Sequence, residues 1–190
     1  MSDADGQGRV KPLGRAVSQS HEPQPDPLRV ASLGRAVVIT VSDRVSAGTA
    51  VDRSGPLAAS GLIALGFEVD PVVVVPDGEP VADALRRALG DGIDVVLTTG
   101  GTGIGPRDRT PEATRGLLDL EIPALAAAIV QAGVANGVPT AVLSRALAGV
   151  AGRTIVVNLP GSSGGVRDAL GVLSGVLPHA VAQLRGADHG

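Results

Sequence analysis

The chain has 190 residues, of which 44% are hydrophobic, and this length is typical of one domain with a tail. It contains no Cys, Trp or Tyr, and Phe67 is its one aromatic residue, which excludes disulfides, thiolate metal sites and aromatic platforms for single-stranded nucleic acid. A formal charge of −3, no apolar run of membrane-spanning length and no signal-peptide pattern predict a cytoplasmic protein without nucleic-acid or membrane partners.

The first predicted elements are a tail, a strand and a helix. Residues 1–34 are rich in Pro, Gly and Ser, a composition typical of a disordered tail that cannot bury a core. A Val/Ile-rich run at 36–42 predicts a buried parallel strand, and a polar loop occupies 42–55. Ser54 is expected to be the N-cap of a helix that ends near Leu65.

Two further strands and two helices follow. A strand is predicted over 67–76, irregular where it contains a proline, and apolar spacing predicts a helix over 78–89. A third buried strand over 94–99 leads directly into a Gly-rich loop. A helix is predicted over 110–118, with Thr110 as its N-cap and a proline in its first turn.

The last third of the chain is strongly apolar. A helix over 122–135 carries so little charge that we expect it to pack against a partner subunit. Residues 139–154 predict a strand pair, or a strand and a turn, before another buried strand over 154–160. A final helix is expected over 163–184, followed by a short tail at 187–190.

Strands that alternate with helices predict an α/β fold with a mostly parallel central sheet. The domain is expected to span 35–186. Ligands of such folds bind at the carboxyl ends of the strands. This rule selects the most polar or Gly-rich segments of the domain, which are 42–49, 76–79, 99–112 and 158–165.

The most informative of these segments is the Gly-rich loop TTGGTGIGPRDRTPE at 98–112. Gly100, Gly101 and Gly103 allow backbone amides to approach an anion closely, and Thr99 and Thr102 add hydroxyl donors. The alternative is a tight turn that needs glycine only for its backbone conformation and binds no anion. The loop does not match the dinucleotide fingerprint, because a proline stands where its last glycine would be.

Several carboxylates lie beside these loops. Asp108 follows the glycines between two arginines, and an acidic residue next to an anion site suggests a bridging Mg²⁺, or else a solvated Arg–Asp cluster. Asp77 lies in a Pro-Asp-Gly sequence that is either a simple turn or a second metal-holding position. Asp43 carries the same ambiguity. Glu112 is most simply a favourable partner of the helix dipole.

The segment NLPGSSGG at 158–165 predicts a second anion site. It precedes a helix, whose first N–H groups are free to bind an anion, and Ser162 or Ser163 can be its N-cap. An ordinary Gly/Ser loop is the alternative.

Six motifs follow one another along the domain: TVSDRVSAG, DRSGP, VPDGE, TTGGTGIGPRDRTPEAT, LSRALAG and NLPGSSGGVRDAL. In this order and spacing the chain resembles the MogA/MoaB family of molybdopterin-binding proteins over residues 36–186. The resemblance implies a three-layer αβα fold, commonly a homotrimer, with a hexamer as the alternative. It also implies adenylylation of molybdopterin by ATP and Mg²⁺ with release of pyrophosphate, and a partnership with the molybdenum insertase of the pathway.

The resemblance also implies roles for individual residues. Asp77 and Asp108 match the catalytic, metal-holding aspartates. The positions that match the substrate pocket are Asp43, Thr99, Gly100, Gly101, Thr102, Gly103, Thr110, Glu112, Ser144, Pro160, Gly161 and Ser162. One departure lies in the helix over 122–135, where the family often has a glycine directly after the first proline and an arginine further along, whereas this chain has Ala124 and no arginine there. A non-catalytic molybdopterin carrier is the alternative function, and an insertase is disfavoured by the chain length.

Overall fold

A β-sheet organises residues 32–186, the part of the chain that the computed structural model describes. Its seven strands in this part are β1 (Arg35–Val41), β2 (Glu68–Val69), β3 (Val73–Val75), β4 (Val95–Thr99), β5 (Leu120–Glu121), β6 (Ala148–Ala151) and β7 (Thr154–Leu159). The strand order is β2-β1-β4-β7-β6-β5, and β3 also pairs with β1. Only β5 and β6 introduce antiparallel pairs among these strands.

The helices connect these strands. They are α1 (Asp43–Ser46), α2 (Ser54–Ala64), α3 (Glu79–Gly90), α4 (Thr110–Arg115), α5 (Pro123–Ala135), α6 (Ser163–Ser174) and α7 (Leu177–Leu184), with a 3₁₀ helix at Pro139–Leu143. Within residues 32–186, no helix is long and apolar enough to cross a membrane. The tails predicted over 1–34 and 187–190 lie outside the described residues, except for 32–34, so the domain boundaries stay predictions.

Helices cover both faces of the sheet and form three layers. Ala36 and Val38 of β1 pack on one face with side chains of α2, α5, α6 and α7. Val37 and Ile39 pack on the opposite face with side chains of α3. Because both faces are covered, the central strands are aliphatic at almost every position rather than at alternate positions. The predicted three-layer fold with a mostly parallel sheet is confirmed.

Two predicted N-caps are wrong. Ser54 is already the first residue of α2, and the carboxylate of Asp52 accepts the N–H groups of Ser54 (3.1 Å) and Gly55 (2.9 Å) instead. A carboxylate two residues upstream is well placed to accept these bonds. Thr110 is likewise the first residue of α4, and its hydroxyl donates to the Gly100 carbonyl at the start of the same glycine loop. Ser162, one of the two predicted choices, is the N-cap of α6 and accepts the Gly165 N–H at 3.1 Å.

The last predicted helix is two helices. The first ends at Ser174 and the second begins at Leu177, with Pro178 in its first turn. A proline inside a continuous helix would remove one N–H bond and clash with the carbonyl four residues earlier, so the chain breaks before it. The region after α5 is a 3₁₀ helix followed by the β6–β7 hairpin, which confirms the strand and turn. The predicted strand over 67–76 is interrupted at Pro71.

The position of β1 determines where a ligand can bind. Strand β1 lies between β3 and β4, so the chain continues to one side of β1 and then crosses to the other. In open α/β sheets, the loops diverge at such a point and leave a crevice at the carboxyl ends of the strands. The residues that follow β1, β3, β4 and β7 therefore meet at one edge.

Candidate functional site

The glycine loop after β4 is folded tightly against β1. Gly100 and Gly101 have positive φ angles of +103° and +63°, which L-residues with a side chain rarely adopt. A Cβ atom on Gly100 would lie 2.2 Å from the carbonyl oxygen of Val41. A Cβ atom on Gly101 would lie 2.3 Å from the hydroxyl of Thr110. The sequence therefore needs glycine here for a specific close approach, in addition to a tight turn.

Hydrogen bonds join this loop to its neighbours. The Thr99 hydroxyl donates to the Pro160 carbonyl (2.8 Å), and the Thr110 hydroxyl donates to the Gly100 carbonyl (3.0 Å). A Cβ atom on Gly161 would lie only 3.2 Å from the Gly100 Cα. The two loops predicted as anion sites are thus in direct contact.

Some backbone N–H groups of the glycine loop have no hydrogen-bond acceptor among the described residues. Among the described residues, no group accepts the backbone N–H of Gly101, Thr102 or Gly103. The first turn of α6 begins next to them at Ser163. Free N–H groups of a loop and of a helix N-terminus bind anions well, so this edge can hold phosphate oxygens.

Asp43 and Asp77 bind each other's backbone at the ends of β1 and β3. The Asp77 N–H donates to Asp43 Oδ1 (3.2 Å), and the Asp43 N–H donates to Asp77 Oδ2 (3.3 Å). Arg107 also pairs with Asp43 at 2.8 Å. Burial raises the pKa of the Asp77 carboxyl, and the charges of Asp43 and Asp108 raise it further, against the lowering effect of the Asp43 N–H. These carboxylates are therefore close enough to interact electrostatically.

Asp108 lies inside the turn of its own loop. Its Oδ2 accepts the Gly105 N–H at 2.8 Å and would lie 2.8 Å from a Cβ atom on Gly103. Its carbonyl oxygen accepts a bond from Arg145, which also pairs with Glu112 and lowers the pKa of that carboxyl through their hydrogen bond. Sequence reasoning missed Arg145. The available signal was the one charged residue in the motif LSRALAG, directly after Ser144.

Two pockets flank the contact between Gly100 and Gly161. One has a volume of about 520 Å³ and is bounded by the glycine loop, α5, the 3₁₀ helix and the start of α6. The other, of about 470 Å³, is bounded by the loop after β1 and the start of α2. Gly100, Gly161 and Ser162 line both pockets. The site can therefore accommodate two ligand moieties that meet over this contact.

The predicted site residues divide into four groups, the first of which is the shared set of Gly100, Gly161 and Ser162. Those that line the first pocket in addition to the shared residues are Gly101, Thr102, Gly103, Asp108, Ser144 and Pro160. Thr99 lines the second pocket. Asp43, Asp77, Thr110 and Glu112 line neither pocket and instead support the loops beside them. The aliphatic wall made by Ile129, Val130 and Leu143 was not predicted from sequence.

The carboxylates suit Mg²⁺ only together with a phosphate ligand. In the described part of the chain, no group of three or more His, Cys, Asp or Glu residues is arranged to hold a metal ion. Magnesium commonly uses one or two protein carboxylates and takes its remaining ligands from phosphates and water. Asp77 and Asp108 fit that donor set, although they do not form a complete protein cage.

Comparisons with known proteins agree with this geometry. A family profile described as "Probable molybdopterin binding domain" matches residues 37–179. The chain is 45% identical over 157 residues to the molybdenum cofactor biosynthesis bifunctional protein of Synechococcus elongatus, covering 82% of this chain and 49% of that protein. It thus spans about half the length of that relative. It is 39% identical over 152 residues to the molybdopterin adenylyltransferase of Pyrococcus furiosus, covering 78% of this chain and 89% of that protein.

A solved structure gives the same result. The molybdopterin biosynthesis Mog protein of Mycobacterium ulcerans superposes with a TM-score of 0.76 at 49% identity. The superposition covers 80% of this chain and 99% of that structure.

Proposed function

The chain belongs to the MogA/MoaB family of molybdenum cofactor biosynthesis proteins, and we propose from this premise that it transfers the adenylyl group of ATP to molybdopterin. The observation that carries the proposal is the row of open N–H groups in the glycine loop, placed beside two carboxylates and between two pockets that share Gly100 and Gly161. An adenylyl group can pass from one substrate to the other only where their two pockets adjoin, because the reacting phosphates must lie in contact.

In the proposed reaction, a phosphate oxygen of molybdopterin attacks the α-phosphorus of ATP. A new phosphorus–oxygen bond forms, the bond from the α-phosphorus to the β-phosphate oxygen breaks, and pyrophosphate leaves. Because an ionised phosphate is already a nucleophile, the chain needs no strong general base. Catalysis would come from positioning and from stabilising negative charge.

The chain's own residues supply most of that stabilisation. Its single lysine, Lys11, lies outside the described residues, so the described site must hold phosphates with amides, hydroxyls and arginines. Arg44 and Arg53 line the second pocket, and neither pairs with a carboxylate within residues 32–186. Asp77 and Asp108 would hold Mg²⁺ with the nucleotide, and the ion would neutralise charge on the phosphate oxygens.

A pyrophosphate-release assay with molybdopterin, ATP and Mg²⁺ tests this function. We expect turnover by the wild type, and a loss of about 100-fold in Asp108→Asn, because the variant keeps the side-chain shape and removes the charge. Asp119→Asn is the matched control. Asp119 also accepts a backbone N–H, that of Gly152 at 2.6 Å, but it lies away from the strand ends that form the site.

The assay separates the two candidate functions. A wild type that binds molybdopterin without releasing pyrophosphate is a carrier, and the adenylyltransferase proposal is then wrong. Wild-type turnover in Asp108→Asn would refute the role of that carboxylate alone.

We also propose a homotrimer, with a hexamer as the alternative, that works in the cytoplasm with a molybdenum insertase. Large aliphatic side chains are exposed around the glycine loop and the 3₁₀ helix, with Ile104 69%, Val142 62% and Leu143 49% accessible. Covering such side chains favours association. Sedimentation equilibrium of the full chain tests the assembly, and a monomeric mass at micromolar concentration would contradict it.

A further inference from the structure

One guanidinium group joins the two ends of the loop that carries Asp108. Arg145 Nε donates to the Gly103 carbonyl at 2.7 Å, and its Nη2 donates to the Asp108 carbonyl at 2.5 Å. Its Nη1 pairs with the carboxylate of Glu112 on α4. The same side chain thus binds the beginning of the loop, its end and the helix that follows.

Arg145 is itself held in place by the loop. Its backbone N–H donates to the Thr102 carbonyl at 2.9 Å, so main chain and side chain of one residue bind successive positions of the glycine loop. The Arg145 side chain is 37% exposed and the side chain of its Glu112 partner is 41% exposed. At this exposure the ion pair contributes little by itself, so the bonds to carbonyl groups are the main effect.

Besides Arg145, two other residues restrain the loop. The N–H and hydroxyl of Thr110 donate to the carbonyls of Gly101 (3.1 Å) and Gly100 (3.0 Å), and Arg107 pairs with Asp43 at 2.8 Å. Between Gly103 and Asp108, the internal hydrogen bonds in the described structure are those exchanged by Gly105 and Asp108. Two glycines add backbone freedom in this segment, and Ile104 is 69% exposed and so packs little. Thr110 joins positions outside this segment, so without Arg145 the part from Gly103 to Asp108 would sample more conformations, and the Asp108 carboxylate would move with it.

We propose that Arg145 is a positioning residue that fixes the loop from Gly103 to Asp108 and thereby holds the Asp108 carboxylate in its working orientation. The role in turnover rests on the proposed adenylyl transfer, whereas the restraint on the loop does not. An arginine is required because its planar fork spans two carbonyls at once, which the single ammonium of a lysine does not do.

Hydrogen exchange measured by mass spectrometry on the full chain tests the restraint directly. In Arg145→Ala we expect the hydrogen-bonded amides of the 103–109 segment, those of Gly105 and Asp108, to exchange at least about tenfold faster, with β1 and β4 unchanged. Arg145→Lys should give nearly the same result, because it keeps the charge and loses the fork. Arg115→Ala is the matched control, since Arg115 pairs with Glu121 at 2.8 Å without binding this loop.

Steady-state kinetics then test the role in positioning. Misplacement of a reacting group by about 1 Å costs up to about 100-fold in rate, so we expect kcat to fall by about 10- to 100-fold in both Arg145 variants, with KM for ATP changing less than about threefold. Methylguanidinium added to Arg145→Ala should restore part of kcat, which a loss of overall stability would not allow.

The outcomes are distinguishable. Exchange over 103–109 that is unchanged in Arg145→Ala, or fully protected in Arg145→Lys, overturns the proposed restraint. Faster exchange with wild-type kcat overturns the positioning role. Absence of pyrophosphate release from the wild type overturns the adenylyltransferase proposal, while the exchange measurement still decides whether Arg145 holds the loop. If Arg145→Ala does not fold, Arg145→Lys and Arg145→Gln provide the same comparison.

Discussion

Replacing Gly100 with alanine places a methyl group against the backbone of β1. The added Cβ would lie 2.2 Å from the Val41 carbonyl oxygen, more than 1 Å inside an ordinary contact of about 3.4 Å. Because that oxygen belongs to a central strand, the loop must move rather than the strand. Gly100 also has a φ of +103°, which alanine adopts only at a cost of about 1–3 kcal/mol. The overlap adds about 1–3 kcal/mol more.

Gly78→Ala separates these two costs. Gly78 has a φ of +107°, and a Cβ atom there would meet nothing within 4 Å. It therefore carries the backbone strain without the overlap. In urea unfolding, the free energy of unfolding of Gly100→Ala should be about 1–3 kcal/mol lower than that of Gly78→Ala. The slope of this free energy against urea concentration should be the same for both variants. Equal free energies of unfolding for the two variants would refute the close approach of the glycine loop to β1.

Two further predictions concern one partly buried and one fully buried polar group. Folding raises the pKa of Asp77, so the ionised carboxyl lowers the free energy of unfolding as pH rises from its ordinary pKa through the raised value. Asp77→Asn removes this loss. In urea unfolding, its free energy of unfolding should exceed that of the wild type by up to about 1 kcal/mol at about pH 7 and should equal it at about pH 3. A gain that is the same at both pH values would contradict this. Asn158 is fully buried, and its amide donates to the hydroxyls of Thr98 (3.0 Å) and Thr114 (2.9 Å). Asn158→Ala should cost about 2–4 kcal/mol in the same assay, and a cost below about 1 kcal/mol would show that this network contributes little.

Local sequence was sufficient to predict most of the fold. Aliphatic runs mark β1, β4 and β7 because a strand covered on both faces must be apolar along its length. Apolar residues spaced at the helical period identify α3, because one face of that helix packs on the sheet. The errors lie where one proline or one neighbouring carboxylate changes the outcome. Pro178 divides the last helix, and Asp52 takes the capping role expected of Ser54.

The site was predictable as a set of segments, but not as a set of contacts. Placing ligands at the carboxyl ends of strands selects the loops after β1, β3, β4 and β7, and these loops do meet. The sequence did not indicate which of their residues line a pocket and which support it. Asp43 and Asp77, for example, bind each other's backbone across 34 positions of chain, and neither lines a pocket.

The sequence by itself determined the chemistry available to this protein. With no Cys, Tyr or Trp and one lysine, it leaves amides, hydroxyls, arginines, carboxylates and three histidines as the polar groups for a site. Only the tertiary structure decided how these groups are used. Strand order sets which loops come together, and Arg145 reaches Gly103 and Asp108 from 42 and 37 residues away. Propensity and periodicity act over a few residues, so contacts at such separations follow from how the layers pack.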